Sequence, residues 1–289
     1  MRWLLSPARG LAWLIQAMPW KMQKALAWGM GIFWFDLLRI RRQVVIDNLG
    51  IAFPQMSYSE RVKIGRRAMA NFCFNVVEYA RLPFLGAEDI DQFRFYGREH
   101  VEKARLQGKG VLLLTLHLGN GDLASAGLAL LGWPMHLISK TFKTEWLNDA
   151  WFGMREKVGM KFIPPRNSSY GILKALKKNE IVIFVLDQFT GPPIGVKTMF
   201  FGRETGTALG LAVMAHRSGA AVVPAYTLRR EDGRTDVFCE PAIEYVEGPD
   251  HDESLARMTQ VYTDHLEQYV RMCPEQWMWL HKRWKKFKY

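Results

Sequence analysis

Residues 111–122 read Val-Leu-Leu-Leu-Thr-Leu-His-Leu-Gly-Asn-Gly-Asp. The apolar run 111–116 has the length and the branched side chains of a strand that is buried on both faces. Glycines then interrupt the run, so the chain must turn, and the apolar stretch 123–131 that follows suits a helix. The segment therefore predicts a strand, a tight turn and a helix, with His117 at the end of the strand and Asp122 in the first helical turn.

A histidine and a carboxylate at the two ends of such a turn are candidates for acid–base chemistry. Sites of α/β domains form at the carboxyl ends of strands, and a carboxylate beside an imidazole fixes its tautomer and favours its charged form. We interpret His117 as a general base for a hydroxyl group and Asp122 as the residue that orients it. The spacing alone leaves a simpler alternative open, in which Asp122 only favours the helix N-terminus and His117 is an ordinary polar residue.

Strands and helices alternate from residue 93 onward, which is typical of an α/β domain with a sheet flanked by helices. The pattern predicts strands at 110–116, 135–139, 161–163, 181–186, 221–228 and 236–245. It predicts helices at 122–131, 145–158, 169–178, 205–217 and 255–272. The regular alternation indicates that most of the chain folds around one sheet.

The N-terminal part of the chain has a different character. Two apolar stretches, 11–20 and 25–38, are flanked by lysine and arginine and are rich in tryptophan. Neither reaches the roughly 20 apolar residues of a confident transmembrane helix. We therefore expect residues 1–42 to be a membrane-associating anchor whose cationic flank lies on the cytoplasmic side, residues 43–90 to be helical, and residues 91–289 to form the catalytic domain. A hydrophobic helix packed on that domain is the alternative.

The charge of the chain indicates a negatively charged partner. Lysine and arginine number 39 against 28 aspartates and glutamates, which leaves a net charge of 39 − 28 = +11. The chain lacks zinc-finger spacing, an arginine-rich arm and a helix-turn-helix signature, so we do not expect it to bind nucleic acid. Basic residues stand beside aromatic and aliphatic clusters, which favours an anionic membrane surface as the partner.

The sequence carries no motif for a metal or a nucleotide cofactor. Cys73, Cys239 and Cys273 are scattered and form no C-x-x-C pair, so a disulfide framework is not expected and a reducing cytosol is compatible with this usage. No pair of histidines has H-x3-H spacing, and neither a P-loop nor a G-x-G-x-x-G motif is present. We therefore predict a reaction that needs no metal and no cofactor.

The spacing of His117 and Asp122 resembles the H-x4-D/E motif of glycerolipid acyltransferases. The chain is similar, more specifically, to the late acyltransferases of lipid A biosynthesis, the lauroyl and myristoyl transferases of the lysophospholipid-acyltransferase-like superfamily. Five further segments carry the resemblance in the same order along nearly the whole chain: 163–166, 186–188, 200–203, 220–224 and 274–281. It implies an α/β fold with a mixed sheet flanked by helices, at the bacterial inner membrane, with the active site on the cytoplasmic side.

The resemblance also implies a reaction. A fatty acyl chain would move from acyl carrier protein, or from acyl-CoA, to a hydroxyl of a glycolipid, a lipid A precursor, with His117 as the base. Acyl carrier protein is acidic, which suits the positive charge of this chain. Three alternatives stay open: a lysophospholipid or another lipid as the acceptor of an O- or N-acyltransferase, a hydrolase in which water replaces the acceptor, and a scaffold without activity. The acyl chain length and the oligomeric state stay open as well.

Several polar residues are candidates for binding the substrates. Arg166 would contact a phosphate or polarise the carbonyl, Lys140 stands where relatives often have arginine, and Asp187 ends a strand as His117 does, so we expect both at one edge of the sheet. Asp187 would position Arg166 or the acceptor. The remaining candidates are Asn120, Gln188, Arg203 and Thr205, with Phe200 and Phe201 as candidate walls of an acyl groove. Many relatives have glutamate at the position of Asp122, where this chain has a side chain that is one methylene shorter.

Overall fold

The computed structural model describes residues 7–140 and 143–287. Its N-terminal part is helical, and α4 begins at a capping box in which Ser57 and Glu60 satisfy each other's main-chain N–H groups. The helices are α1 (Pro7–Ala17), α2 (Trp20–Ile32) with a π-helical extension (Phe33–Leu38), α3 (Arg42–Ala52) and α4 (Tyr58–Tyr79). Gly31 allows α2 to pack closely on α4, since a Cβ atom at this position would lie 2.6 Å from the Cα of Ala70.

The N-terminal helices have one buried and one exposed apolar face. Ala27 and Gly31 of α2 face α4 and are buried. Large apolar side chains on the other side are exposed: Leu11, Trp13, Leu14, Met22, Leu26, Met30, Ile32, Phe33, Leu37, Leu38 and Ile40. Within residues 7–140 and 143–287, no helix combines the length and the apolar character needed to cross a bilayer. Residues 1–6 of the expected anchor lie outside the described part.

Strands and helices alternate through the rest of the chain. The strands are β1 (Phe93–Tyr96), β2 (Val111–Thr115), β3 (Met135–Ile138), β4 (Lys161–Ile163), β5 (Ile181–Val185), β6 (Gly195–Phe200), β7 (Arg203–Ala208), β8 (Ala221–Arg229) and β9 (Thr235–Cys239). The helices are α5 (Arg98–Arg105), α6 (Gly121–Leu130), α7 (Glu145–Glu156), α8 (Ser168–Lys177), α9 (Gly210–Ser218) and α10 (His251–Met272).

The central sheet is mixed. Its strand order is β1-β9-β8-β2-β5-β3-β4, and within it β8 and β9 run antiparallel while the other pairs are parallel. Strand β2 lies in the middle, and its residues Val111–Leu114 are buried, as expected for a strand covered on both faces. Helices α8, α9 and α10 pack with α3 and α4 around one cluster of buried side chains, and α5 and α6 contribute to the clusters on the other side. The expected mixed sheet flanked by helices is confirmed.

Two predicted elements are wrong in their type or extent. Residues 205–208 of the predicted helix 205–217 belong to strand β7, which pairs with β6, and helix α9 begins only at Gly210. The hairpin turns at Phe201 (φ 54°) and Gly202 (φ 66°), two successive residues in the left-handed region, as in a two-residue hairpin loop. The predicted last strand, 236–245, ends at Cys239.

Candidate active site

Strand register brings the first two site residues together. Strands β2 and β5 are parallel neighbours in which Thr115 is the partner of Val185. His117 and Asp187 each follow two residues later, so both lie at the carboxyl edge of the sheet. The expectation that they meet at one edge is confirmed.

Asp187 holds the imidazole of His117. Nδ1 of His117 lies 2.7 Å from Oδ1 of Asp187, and Oδ2 of Asp187 accepts hydrogen bonds from the main-chain N–H of His117 (2.9 Å) and from Nε1–H of Trp277 (2.7 Å). An ionised carboxylate only accepts, so Nδ1 carries the proton and Nε2 is the nitrogen that can receive one. The side chain of Asp187 is 2% exposed, whereas that of His117 is 38% exposed.

The buried carboxylate sets the charge preference of the imidazole. Burial disfavours the charged form of His117, but the charge and the hydrogen bond of Asp187, with a smaller contribution from Asp122, outweigh burial and raise the pKa of His117. Burial alone would raise the pKa of Asp187, but His117 and the hydrogen bond from Trp277 lower it to about 2. The site therefore holds a carboxylate that stays ionised next to a histidine that readily accepts a proton.

Asp122 occupies a different position from the one expected. It lies in the first turn of α6, as predicted, but its carboxylate accepts a hydrogen bond from Nε of Arg155 (2.7 Å), and the hydrogen bond to His117 Nδ1 belongs to Asp187. Arg155 comes from α7 and its side chain is fully buried, with the guanidinium 3.6 Å from the ring centroid of Trp151. A buried guanidinium needs a carboxylate partner, and Asp122 provides it. Asp122 thus acts on His117 through its charge.

Asn120 holds the turn between these residues. Its Oδ1 accepts from the main-chain N–H of Leu123, which caps α6, and its Nδ2 donates to Glu78 at 2.8 Å. The side chain is 2% exposed. The prediction that Asn120 contacts substrate is therefore not supported, because both ends of its amide are used inside the protein.

The C-terminal segment borders the site. Residues 274–281 carry part of the family resemblance, but their contacts with His117 and Asp187 were not predicted. The main-chain N–H of Met278 donates to the carbonyl of His117 (3.1 Å), and Trp277 binds Asp187 as described. Nε2 of His281 accepts from the N–H of Phe189 (3.0 Å), and burial lowers the pKa of His281 despite the nearby Asp187. His281 is therefore a neutral neighbour of the site. The signals in the sequence are the resemblance of residues 274–281 to the family and the aromatic-rich composition of residues 277–284.

The family of the chain follows from comparison with known proteins. The model of the bacterial lipid A biosynthesis acyltransferase family matches residues 1–286. The chain belongs to this family. It is therefore an acyltransferase, as the resemblance implied.

Two relatives match the chain along most of its length. The acyltransferase is 28% identical over 293 residues to the lipid A biosynthesis lauroyltransferase of Escherichia coli (strain K12), covering 98% of this chain and 92% of that protein. It is 26% identical to the phosphatidylinositol mannoside acyltransferase of Mycobacterium tuberculosis (strain ATCC 25618 / H37Rv) over 72% of this chain and 66% of that one. The solved 1-acyl-sn-glycerophosphate acyltransferase of Thermotoga maritima aligns with a TM-score of 0.39 and 11% identity, covering 88% and 98% of the two chains.

The other candidate binding residues of the acyltransferase divide into exposed and buried ones. Lys140 follows β3, Arg166 lies in the turn before α8, and Arg203 begins β7; all three are exposed. Thr205 is fully buried and its hydroxyl donates to the carbonyl of Arg283 at 2.6 Å, so it has no substrate-facing surface. The main-chain carbonyl of Gln188 accepts from Nη1 of Arg283 at 3.1 Å.

Two aromatic residues expected in an acyl groove lie in the core instead. Phe200 and Phe201 are buried and pack on each other with ring centroids 4.9 Å apart. Phe53 and Trp284 complete their surroundings. The two phenylalanines are therefore part of the core beneath the segment that carries Trp277, and they do not face solvent.

Proposed function

We propose that this acyltransferase moves a fatty acyl chain from acyl carrier protein to a hydroxyl of a glycolipid, a lipid A precursor, and that His117 is the general base. The observation that carries the proposal is the partly exposed imidazole whose Nδ1 is held by a buried carboxylate. This arrangement directs Nε2 toward a substrate hydroxyl and supports the imidazolium that forms when the proton is taken.

The proposed reaction is a direct transfer. The acceptor oxygen attacks the thioester carbonyl carbon while its proton passes to Nε2 of His117. The tetrahedral intermediate then collapses, the carbon–sulfur bond breaks, and the imidazolium returns the proton to the thiolate that leaves. Asp187 keeps Nδ1–H in place throughout and stabilises the positive charge. A positioned base of this kind contributes roughly two to four orders of magnitude in rate.

The start of α6 is the proposed site for the oxyanion. The first N–H groups of a helix have no partner within the helix, and here Asn120 caps the N–H of Leu123 only. Gly121 and Asp122 precede Leu123, and their N–H groups lie at the positive end of the helix dipole. They are suited to bind the developing negative charge on the carbonyl oxygen.

The exposed apolar face of the N-terminal helices supports a position at the cytoplasmic side of the bacterial inner membrane. Cationic residues flank this face, including Arg39 at the end of the π-helical extension and Arg41 just before α3. The same part of the chain is joined to the site, because Nδ2 of Asn48 donates to the carbonyls of Trp279 and His281, both at 2.8 Å. An anchor placed on the membrane would therefore hold the site next to its lipid substrates.

The proposed donor is acyl carrier protein, with acyl-CoA as the alternative. The net charge of +11 supports docking of an acidic carrier. Direct transfer requires no cofactor beyond the acyl donor itself.

A second acceptor class is supported by one of the relatives. The identity to a phosphatidylinositol mannoside acyltransferase, 26%, is close to the 28% found with the lauroyltransferase. An inositol-linked glycolipid or another phospholipid is thus the second candidate acceptor, with the same base and the same donor chemistry.

An acceptor panel tests the proposal. The purified protein in detergent is incubated with acyl carrier protein charged with C12 to C16 chains, and with lipid A precursor, a phosphatidylinositol mannoside, a lysophospholipid or water. Mass spectrometry identifies the products, and His117→Ala is the control. Acylated lipid A precursor that disappears in the variant is the expected result. Product only on another lipid would reject this acceptor, and free fatty acid alone would reject the transferase mechanism in favour of hydrolysis.

A further inference from the structure

A buried ion pair lies next to the site without touching His117. Glu78 belongs to α4 and is 0% exposed, and Arg229 ends β8. Nε of Arg229 donates to Oε1 of Glu78 at 2.9 Å, and Nη2 donates to Oε2 at 2.6 Å. Two charges withdrawn from water are retained only when they are paired and hydrogen-bonded in this way. The pair is therefore a fixed element of the interior.

Glu78 reaches the turn between His117 and Asp122 through Asn120. Nδ2 of Asn120 donates to Oε2 of Glu78 at 2.8 Å, which orients the amide so that Oδ1 receives the N–H of Leu123 at 3.1 Å. The carboxylate of Glu78 thus determines the direction of the group that caps α6. Because Asp122 lies in the first turn of that helix, its position depends on the same cap.

Arg229 reaches the turn by two other routes, both of which end at Gly119. Asn75 donates from Nδ2 to the carbonyl of Gly119 at 2.7 Å, and its Oδ1 accepts from Nη2 of Arg229. The main-chain carbonyl of Gln276 accepts a hydrogen bond from the N–H of Gly119 (3.1 Å). The side-chain amide of Gln276 binds the main-chain N–H and C=O of Arg229 at 2.8 and 2.9 Å. Both polar groups of the Gly119 peptide are therefore held by partners of Arg229.

The turn has little room to adopt another position. Gly119 has φ +59°, and a Cβ atom there would lie 2.6 Å from the carbonyl oxygen of Thr227. The turn is thus pressed against β8, the strand that ends with Arg229. A change in the ion pair would be transmitted to the turn, since hydrogen bonds connect the two, of which the one between Asn120 and Glu78 is buried and those through Asn75 and Gln276 are partly buried.

We propose that Glu78 and Arg229 are positioning residues, which hold the turn 118–121 so that the imidazole of His117 and the start of α6 face the reacting carbonyl together. The proposal rests on the proposed function of His117 as the base. An ion pair that only packed α4 on the sheet would contribute to the stability of the protein and not to turnover. A positioning pair contributes to turnover at unchanged substrate binding.

Two variants cut the connection at different points. Asn120→Ser keeps an oxygen that can cap α6 but removes the donor to Glu78, and Glu78→Gln keeps the shape of the side chain but removes its charge. With acyl carrier protein thioester and the acceptor identified above, measured well below the unfolding temperature of each variant, we expect kcat to fall about 10- to 100-fold while KM for the donor stays within about twofold. The double variant should lose no more than the worse single variant, because both act through one connection.

A neighbouring ion pair provides the matched control. Asp236 of β9 is buried and accepts a hydrogen bond from Nη1 of Arg230 at 2.7 Å. Arg230 is the residue that follows Arg229 in the chain. Asp236→Asn removes a buried carboxylate from the same strand pair, so it should lower the unfolding temperature and leave kcat unchanged.

The outcomes separate the proposal from its alternatives. Folded Glu78→Gln and Asn120→Ser variants with kcat within about twofold of the parent would overturn it. If Glu78→Gln does not fold, Asn120→Ser and Asn75→Ala, which frees the carbonyl of Gly119, decide the question by the same measure. Failure of the base assignment is recognised independently, since His117→Ala would then retain activity whatever the other variants show.

Discussion

Nδ1 of His117 lies 2.7 Å from Oδ1 of Asp187, and this contact is a consequence of strand register. Thr115 and Val185 are paired in two parallel strands, and each of the two functional residues follows its strand by the same number of positions. The chain therefore creates the pair with two short buried runs that end in polar residues. The imidazole gains a partner that cannot move, since the same carboxylate is held by Trp277.

The first prediction concerns the pH dependence of turnover. Asp187 raises the pKa of His117 above its usual 6.5, so half of the base is neutral only at a pH above that value. We therefore expect kcat to rise with pH as His117 loses its proton. Asp187→Asn removes the raising charge, so the rise should shift to lower pH. The plateau should fall by about a hundredfold or more, because the tautomer is no longer fixed. A pH–rate profile of the two proteins checks both effects, and an unshifted profile would remove Asp187 from its assigned role.

The second prediction concerns the base itself. His117→Ala should lower kcat by about two to four orders of magnitude with the fold retained, since the side chain is only partly buried. His136 offers a matched control, because its Nε2 binds Glu180 at 2.7 Å in a similar histidine–carboxylate pair at the start of β3. His136→Ala should keep its activity. Thioester turnover by both variants and circular dichroism measure the difference, and equal activities would contradict the assignment.

The sequence predicts β2, β3, β4, β5, β8 and β9 and the edge of the sheet where the site lies, but it predicts neither β1, β6 and β7 nor the partners within the site. Local composition is enough to recognise β2 and β5 and the polar residues after them. The choice between Asp122 and Asp187 as the partner of His117 depends on where two strands align, which is a property of the whole sheet. A local sequence pattern therefore favours Asp122, the nearer of the two carboxylates.

Other parts of the site come from distant segments with no recognisable spacing. Arg155 binds Asp122 from a position 33 residues away, and Trp277 binds Asp187 from 90 residues away. The sequence does not predict the hairpin of β6 and β7, because its turn is Phe201-Gly202 and not the Asn-Gly or Asp-Gly pair that marks such loops. These contacts and the hairpin depend on tertiary structure, and the hydrophobic periodicity of the sequence does not predict them.

The third prediction separates stability from catalysis at Asp122. Asp122→Asn leaves the fully buried Arg155 without a carboxylate, so we expect unfolding to become easier by about 3–5 kcal/mol. Turnover should also fall, because Asp122 adds to the electrostatic support of the charged His117. The double variant Asp122→Asn, Arg155→Met removes both charges. It should regain most of the stability that Asp122→Asn alone loses, but not the turnover. Thermal unfolding in detergent and initial rates distinguish the two effects, and full recovery of turnover would assign Asp122 a structural role alone.

The fourth prediction concerns the exposed apolar face of the N-terminal helices. Deleting these helices would also expose the buried face that packs on α4, so substitutions on the outer face are the sharper test. The exposed residues Leu26, Phe33 and Leu37 changed together to serine should weaken binding to vesicles of anionic phospholipid by at least about tenfold. Full burial of one large apolar side chain contributes about 1.5–3 kcal/mol, and the loss of about 1.4 kcal/mol already weakens binding tenfold.

The control for the membrane prediction uses exposed apolar residues outside the N-terminal helices. Leu106 follows α5 and Tyr170 lies in α8, and both are exposed. Leu106→Ser with Tyr170→Ser should bind vesicles like the parent protein in a flotation assay. Since the outer-face variant keeps His117 and its partners, it should still acylate an acceptor dispersed in detergent while losing activity on the same acceptor in vesicles. Unchanged flotation of that variant would show that other surfaces hold the protein on the membrane.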